Sequence, residues 1–467
     1  MLKIKCAELI DVVKGELLTG SLDRNITGIS TDSRKVNEGD LFVAIVGERF
    51  DGHQFISQAF KKGAIACLVE KNVTPASDKV VIKVKDTKKA MGDIAKRCRE
   101  KVDVPIIAIT GSVGKTSTKE MIASVLGVKY NVLKTRENFN NEIGLPLTLF
   151  ELDSFHQIGI LEMGARNFGD ISYLTSICKP DIVIITNIGL SHIERFGSRQ
   201  NILKAKLEIL EGLKDGGVVI LNGDDKLLYG LKGLLNYKTV FFGIEEENDY
   251  YAYNIRKAGE NGTYFDIKLN QREYGLHVPV PGIHNVYCAL AAIAAGVETG
   301  VPIESIIEGV HHYSPSDMRL NIITGKQIKV INDVYNASPQ SMEAAIEVLK
   351  DISGNQRTVA ILGDMFEMGD WSVDAHKDVG KFAAMKNIDY IITVGENARG
   401  IFLGALYKGI PEERVYSFEG NNEANEFLSD FVRADDILLV KGSRGMKMEE
   451  IVNHLLELEP KRPWPHG

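Results

Sequence analysis

The sequence predicts an α/β protein of three domains: a small N-terminal α/β domain, a central domain built on a parallel sheet, and a C-terminal Rossmann-like domain. Two arrays of short apolar runs alternating with helical stretches carry that prediction. The length, 467 residues, is more than one hydrophobic core accommodates. A glycine-rich turn follows the first long β-branched run and marks the central domain.

Residues 1–83 hold short apolar runs, DLFVAIVG (40–47) and AIACLVE (64–70), with a helix predicted at 54–62 between them. Gly and charged turns separate the runs, the pattern of a small α/β unit. Residues 84–314 form the predicted central domain. A helical segment reaches about Glu100, and VPIIAIT (104–110) then reads as a strand buried on both faces. Helix from about 115, QIGILEM (157–163), helix, DIVIITNIG (181–189), helix at about 199–213 and GVVILNGDD (217–225) continue the alternation. Strand-rich residues 237–280 predict an antiparallel extension before an Ala-rich helix at 285–299. Residues 315–467 start a second alternation: IKVINDVY, a helix at 338–350, TVAILGD, a helix at about 372–386, DYIITVG, a helix, DDILLVKGS and a last helix to about 458. The tail KRPWPHG reads as a frayed end.

Hydrophobic residues at 44% and charged residues at 25% describe a chain that buries real cores, without the bias of a disordered one. A net charge of −8 argues against general binding to nucleic acid or to an anionic membrane, while leaving room for a local basic pocket. The five cysteines are scattered, odd in number and free of C-x-x-C spacing, so neither a disulfide framework nor a zinc site is predicted. The N-terminus lacks a signal-peptide core and no stretch approaches about 20 apolar residues, so a cytoplasmic location without membrane insertion is expected.

The segment Thr110-Gly111-Ser112-Val113-Gly114-Lys115-Thr116-Ser117, between a strand and a helix, has the composition of a phosphate cradle. Glycines let backbone N–H groups close on phosphate oxygens, Lys115 neutralises charge, and Thr116 suits Mg²⁺. The general pattern has a glycine where this chain has Ile109, and Gly111 supplies an early turn instead. Glu162 ends the next strand, where nucleotide-hydrolysing folds hold Mg²⁺. His192 follows the strand after that, at the sheet edge where such folds assemble sites. A lone His there serves equally as a packing residue, and Lys204 and Lys206 as ordinary helix-surface charge. DVYNASPQSM (333–342) and KGSR (441–444) concentrate polar groups at strand ends, with turn and helix-capping chemistry as the equal alternative.

TGSVGKTSTK (110–119), LEMGA (161–165), NIGLSHIERFGS (187–198), AKLEI (205–209) and PGIHN (281–285) together resemble the ATP-dependent Mur ligases of peptidoglycan synthesis, over nearly the whole chain and in order. TDSRKVNEGDLFVAIVGERFDGH (31–53), TRENFNNEIGLP (135–146), DVYNASPQSM, LGDMFEMG (362–369) and LVKGSRGMKME (439–449) look most like the member that adds D-alanyl-D-alanine. The D-N-P-[RK] motif of the diaminopimelate-adding member is absent. The resemblance implies transfer of the ATP γ-phosphoryl group to the terminal carboxylate of UDP-N-acetylmuramoyl-tripeptide, and attack by the dipeptide amine on the resulting acyl phosphate.

By the same resemblance, Gly111, Ser112, Val113, Gly114, Lys115, Thr116 and Ser117 hold ATP phosphates. Thr116 and Glu162 serve one Mg²⁺ and His192 a second, and Lys206 is the lysine expected to be carbamylated, with Lys204 as the alternative register. His284 and Asn285 are implied as adenine contacts, and Arg319 and Asp333 as C-terminal residues that reach ATP. Tyr335, Asn336 and Ser338 are implied near the dipeptide, Ser33 and Arg34 at the uridine nucleotide, and Asn138, Asn140 and Asn141 along the substrate path. A bacterial monomer is expected, open without ligands. The chain departs from the family pattern at Ser338, where Asn is frequent, and at Asn332, where a second Asp is. Two competing readings are another Mur-type amide ligase, diamino-acid-adding or folylpolyglutamate-synthase-like, and a phosphate-loop switch or ATPase that forms no bond; the guanine-reading N-K-x-D motif is absent.

Overall fold

The computed structural model describes residues 4–47, 50–73 and 79–462. They fall into two compact units: the first comprises residues to Thr110, 129–184 and 205–218, the second residues 111–128, 185–204 and 219 onward.

In the first unit a five-stranded sheet runs in the order Glu16–Thr19, Val80–Lys83, Ala66–Val69, Asp40–Val43, Gly28–Ser30. The last four strands are parallel and Glu16–Thr19 is antiparallel at one edge. Side-chain alternation sorts its core onto two faces. Leu41, Val43, Leu68 and Ile82 pack with Leu9, Met91 and Ile94, whereas Phe42, Cys67 and Val81 pack with Ile56 and Ala59. Two helices therefore cover the first face, Cys6–Val13 and Thr87–Glu100, the latter capped by Asp86, whose side chain accepts from Lys89 N–H at 2.9 Å. The segment predicted helical at 54–62 is a 3₁₀ turn, Gly52–Phe55, followed by the helix Ile56–Lys62. The same unit carries the parallel strands Val132–Lys134, Ile158–Glu162 and Ile106–Thr110, neighbours in that order.

In the second unit the helix Lys115–Gly127 packs against Ile283–Glu298 and Ile303–His311. Among residues 237–280, Tyr250–Lys257, Thr263–Leu269 and Arg272–Val278 form the predicted antiparallel meander. Lys238–Gly243, however, runs parallel to Tyr250–Lys257 over two residue pairs. Asp224 explains the turn between them: its carboxylate accepts from Ile244 N–H at 2.7 Å and Asn248 Nδ2 at 2.8 Å.

The C-terminal sheet is ordered Asn321–Thr324, Lys329–Asn332, Ile437–Lys441, Thr358–Gly363, Tyr390–Val394, Val415–Phe418. All but the first strand are parallel. Sequence alternation missed both edge strands, because four-residue, half-exposed edge strands carry little apolar signal, and it offered one helix between Tyr390–Val394 and Ile437–Lys441 where there are two, Arg399–Tyr407 and Asn421–Phe431. The helix predicted at about 199–213 is α-helical only over Arg199–Leu207 and tightens to 3₁₀ over Glu208–Gly212. Lys461, first residue of the supposed frayed tail, bridges to Arg433, and residues 463–467 lie outside those described. All five cysteines are free thiols, and among the described residues no helix is long and apolar enough to cross a membrane.

Candidate active site

The strand Ile106–Thr110 is buried throughout, and Ile109 pairs in register with Glu162 of the neighbouring parallel strand. That pairing explains why no glycine stands at 109: the residue belongs to the sheet core, and the loop starts after Thr110. It also sets the Glu162 carboxylate at the strand end from which the loop departs. Glu162 is 2% exposed, and its Oε1 accepts from Asn140 Nδ2 at 2.8 Å. Lys206, in the same unit, is buried, while Lys204 is exposed.

Gly111 adopts φ +147°, and a Cβ there would lie 2.0 Å from Thr186 Oγ1, so both conformation and space demand glycine. Gly114 adopts φ +83° with open space around it; there the backbone alone makes the demand. The loop's shape is held from a distant segment. Asn187 O accepts from Ser112 N–H at 3.1 Å, and Asn187 Oδ1 from Val113 N–H at 3.0 Å. Asn187 Nδ2 and Thr186 Oγ1 donate to Val113 O at 3.0 and 2.6 Å, and Ser191 Oγ donates to Ser112 O at 3.2 Å. The Ser112 and Val113 amides are thus committed to bonds within the protein. Lys115 Nζ donates to Gly111 O at 2.8 Å and Ser112 O at 3.3 Å. Ser112 Oγ is buried without a hydrogen-bond partner, which suits a loop shaped for a polar ligand.

Beside this loop lies a cavity of about 350 Å³ lined by Asn187, Arg199, Asn222, Asp224, Asp225, Lys226 and Tyr287. Asp225 accepts from Ile188 N–H at 2.7 Å and Arg199 donates to Ile188 O at 2.7 Å, fixing the cavity wall that carries Asn187. Tyr287 donates to Asp224 at 2.8 Å, and burial together with that carboxylate pushes the phenol pKa well up. Asn285 Nδ2 donates to Pro281 O at 2.7 Å.

Several predicted ligand contacts have local partners. Asn141 Oδ1 accepts from Ile143 and Gly144 N–H just before the helix Gly144–Phe150. Ser338 N–H donates to Ser341 Oγ at 2.9 Å at the start of the helix Pro339–Ser353, the capping alternative of the sequence. Ser33 Oγ donates to Gln58 at 2.9 Å; the exposed Arg34 pairs with Asp32, whose carboxyl that guanidinium holds down at about 2. Asn138 O accepts from Asn140 N–H. The Arg319 guanidinium lies 4.0 Å from the Tyr335 ring centre.

Lys441 ends the strand Ile437–Lys441 and Asp333 directly follows the adjacent strand Lys329–Asn332; the two form a buried pair at 2.5 Å, with Lys441 also donating to Asn336 O at 2.9 Å. Burial raises the Asp333 pKa against the opposing pull of Lys441. Sequence reasoning noticed KGSR but assigned no role to Lys441, nor to Asn187, Thr186 or Glu367. Each needed a partner distant in sequence, and only its place in a polar strand-end segment could have pointed to it.

His284 is partly exposed by surface area yet closely enclosed, and that enclosure, with the Lys441 charge, pulls its pKa down to about 4. The buried His376 is lowered as well, chiefly by burial; its Nδ1 donates to Ser372 O and its Nε2 accepts from Met365 N–H. For a base with a depressed folded pKa, the unfolded chain binds the proton first. Stability is therefore complete above the unfolded value of about 6.5 and falls as pH drops toward 4, by at most about 3 kcal/mol for His284. Urea unfolding from pH 7.5 to 4 checks this: His284→Asn should flatten the decline, and an unchanged slope would reject the assignment.

Models of the Mur ligase family match three segments: the catalytic domain of the family at residues 25–99, the middle domain at 109–296 and the glutamate ligase domain at 318–444. The UDP-N-acetylmuramoyl-tripeptide--D-alanyl-D-alanine ligase of Bacillus subtilis is 39% identical over 98% of this chain and 99% of its own. MurF from Acinetobacter baumannii superposes with a TM-score of 0.90 at 32% identity, covering 98% of this chain and 99% of its own. MurF ligase from Thermotoga maritima, solved in complex with ADP, gives 0.82 at 27% identity over 92% of this chain and 97% of its own. With likeness running through loop, sheets and full length alike, the chain belongs to the Mur ligase family.

Proposed function

We propose that this chain joins D-alanyl-D-alanine to UDP-N-acetylmuramoyl-tripeptide with ATP, giving UDP-N-acetylmuramoyl-pentapeptide, ADP and phosphate. One observation carries the reading. The chain is matched over 98% of its length by a ligase bearing that name, and within it Glu162 stands in register with Ile109, two residues before Gly111 in the sequence.

A carboxylate accepts no amine at neutral pH because its oxygen leaves poorly. A carboxylate oxygen of the tripeptide attacks the γ-phosphorus, the O–P bond forms, and the bond to the β-phosphate oxygen breaks to release ADP. Lys115 and the helix N-terminus offset the charge spread over the phosphoryl oxygens. The dipeptide amine then adds to the acyl carbon, the tetrahedral intermediate expels inorganic phosphate, and the nitrogen loses its extra proton. His284 and Tyr287, three apart on one helix face, put the adjoining cavity in reach of the nucleoside end of ATP.

Among the described residues no group of three or more His, Cys, Asp or Glu forms a metal cage. Magnesium needs none when it binds through one or two carboxylates plus phosphate oxygens and water. Thr116 and Glu162 would serve one Mg²⁺ and His192 a second, with Lys206 added if carbamylated, and bound Mg²⁺ supplies charge neutralisation.

Phosphate release should require the tripeptide nucleotide and D-alanyl-D-alanine together, tested with lysine and diaminopimelate forms. Turnover supported by glutamate or a single diamino acid in place of the dipeptide would sink this reading; turnover without any peptide would mark a bare ATPase. An intact mass without added CO₂ would remove the Lys206 modification.

A further inference from the structure

We propose that Glu367, on the C-terminal part of the chain, is the positioning residue of His192, fixing which imidazole nitrogen carries the proton. The proposal rests on His192 serving the metal of the ATP site.

His192 Nδ1 is buried and lies at ion-pair distance from Oε2 of Glu367, without the alignment of a full hydrogen bond. The two loops are also clasped through backbone. Glu194 N–H donates to Glu367 O at 3.3 Å, and a Cβ on Gly369 would lie 3.0–3.3 Å from Glu194, so the segments pack closely. Both His192 and Glu367 adopt φ +61°, a left-handed conformation that non-glycine residues hold only where their surroundings fix it. The coincidence of two such residues at one contact is what singles it out from ordinary surface pairing.

Glu367 is itself presented by a braced loop. Phe366 N–H donates to Ser443 Oγ at 2.8 Å, Met365 N–H to His376 Nε2 at 2.9 Å, and Asp364 Oδ1 accepts from Ala398 N–H at 2.7 Å. A carboxylate at Nδ1 takes the N–H of the neutral ring, so the lone pair remains on Nε2, the nitrogen available to a ligand. Carboxylates behind metal-ligating histidines act in this manner, and removing them costs about 10–100-fold in affinity or activity.

The test uses the full chain labelled with ¹⁵N-histidine, first without nucleotide or Mg²⁺, with His192→Gln assigning the His192 resonance. Wild type should show the Nδ1–H tautomer, Glu367→Ala should shift toward Nε2–H, and Glu367→Gln, whose amide oxygen still accepts, should keep Nδ1–H. In turnover, Glu367→Ala should lower kcat about 10–100-fold and raise the Mg²⁺ needed for half-maximal rate, with KM for D-alanyl-D-alanine within about twofold. Unchanged tautomer and kinetics in Glu367→Ala would overturn the proposal. Should that variant fail to fold, loss of Nδ1–H in folded Glu367→Gln would overturn it equally. If His192→Gln turned over normally while Glu367→Ala still shifted the tautomer, the metal role of His192 would fall and the positioning would stand.

Discussion

Lys115→Ala should reduce ATP-dependent ligation by about 10²–10³-fold in kcat, the scale seen when one preorganised donor to a charged transition state is removed. Lys115 is the cation of the loop, tethered to Gly111 O and Ser112 O in the position where a triphosphate chain would run. Its loss leaves the helix N-terminus to face the phosphoryl charge alone. Folding should barely respond, since the amine makes its contacts with loop carbonyls at a partly exposed site and not within a core. The measurement is phosphate release with saturating tripeptide nucleotide and dipeptide, alongside a urea melt. A folded variant with near-normal kcat would remove the loop from the chemistry.

Lys441→Ala should be the most damaging change to stability, at about 3–5 kcal/mol, because it strands a buried carboxylate without its cation. Lys441 and Asp333 are both buried, and Lys441 also holds Asn336 O, so one substitution opens a strand-end segment predicted to face the dipeptide. The loss should be pH-dependent. Without Lys441 the folded Asp333 pKa rises further above its unfolded value, so the penalty grows as pH rises through the unfolded value of about 3.9 and is smallest in acid. Chemical denaturation at pH 5 and pH 8 should separate the two conditions, and adding Asp333→Asn to Lys441→Ala should recover part of the loss. Equal losses at both pH values would reject the stranded-charge explanation.

The phosphate loop, the acidic strand end and the alternating sheets were legible because each is a local pattern: Gly111 to Thr116 between a β-branched run and a helix, and Glu162 closing another such run. Lys206 was separable from Lys204 only by burial, which two-residue spacing on a helix does not reveal. Ser338 and Asn141 are ambiguous in sequence for a related reason, since residues that make local backbone hydrogen bonds at helix starts are also residues that bind ligands. The strand Val415–Phe418 went unseen because an edge strand of four residues has one apolar face and little length. Asn187 and Glu367 were invisible as contacts, lying 74 residues after Val113 and far beyond His192 in the chain.

That separation bears on biosynthesis. At about 5–20 residues per second, the phosphate loop emerges some 4–15 seconds before Asn187, whose amide shapes it. A nascent chain stalled in that interval would display the complete motif with no template for its carbonyls, and so no nucleotide site. The shape of the loop is therefore set only once the segment carrying Asn187 has been made.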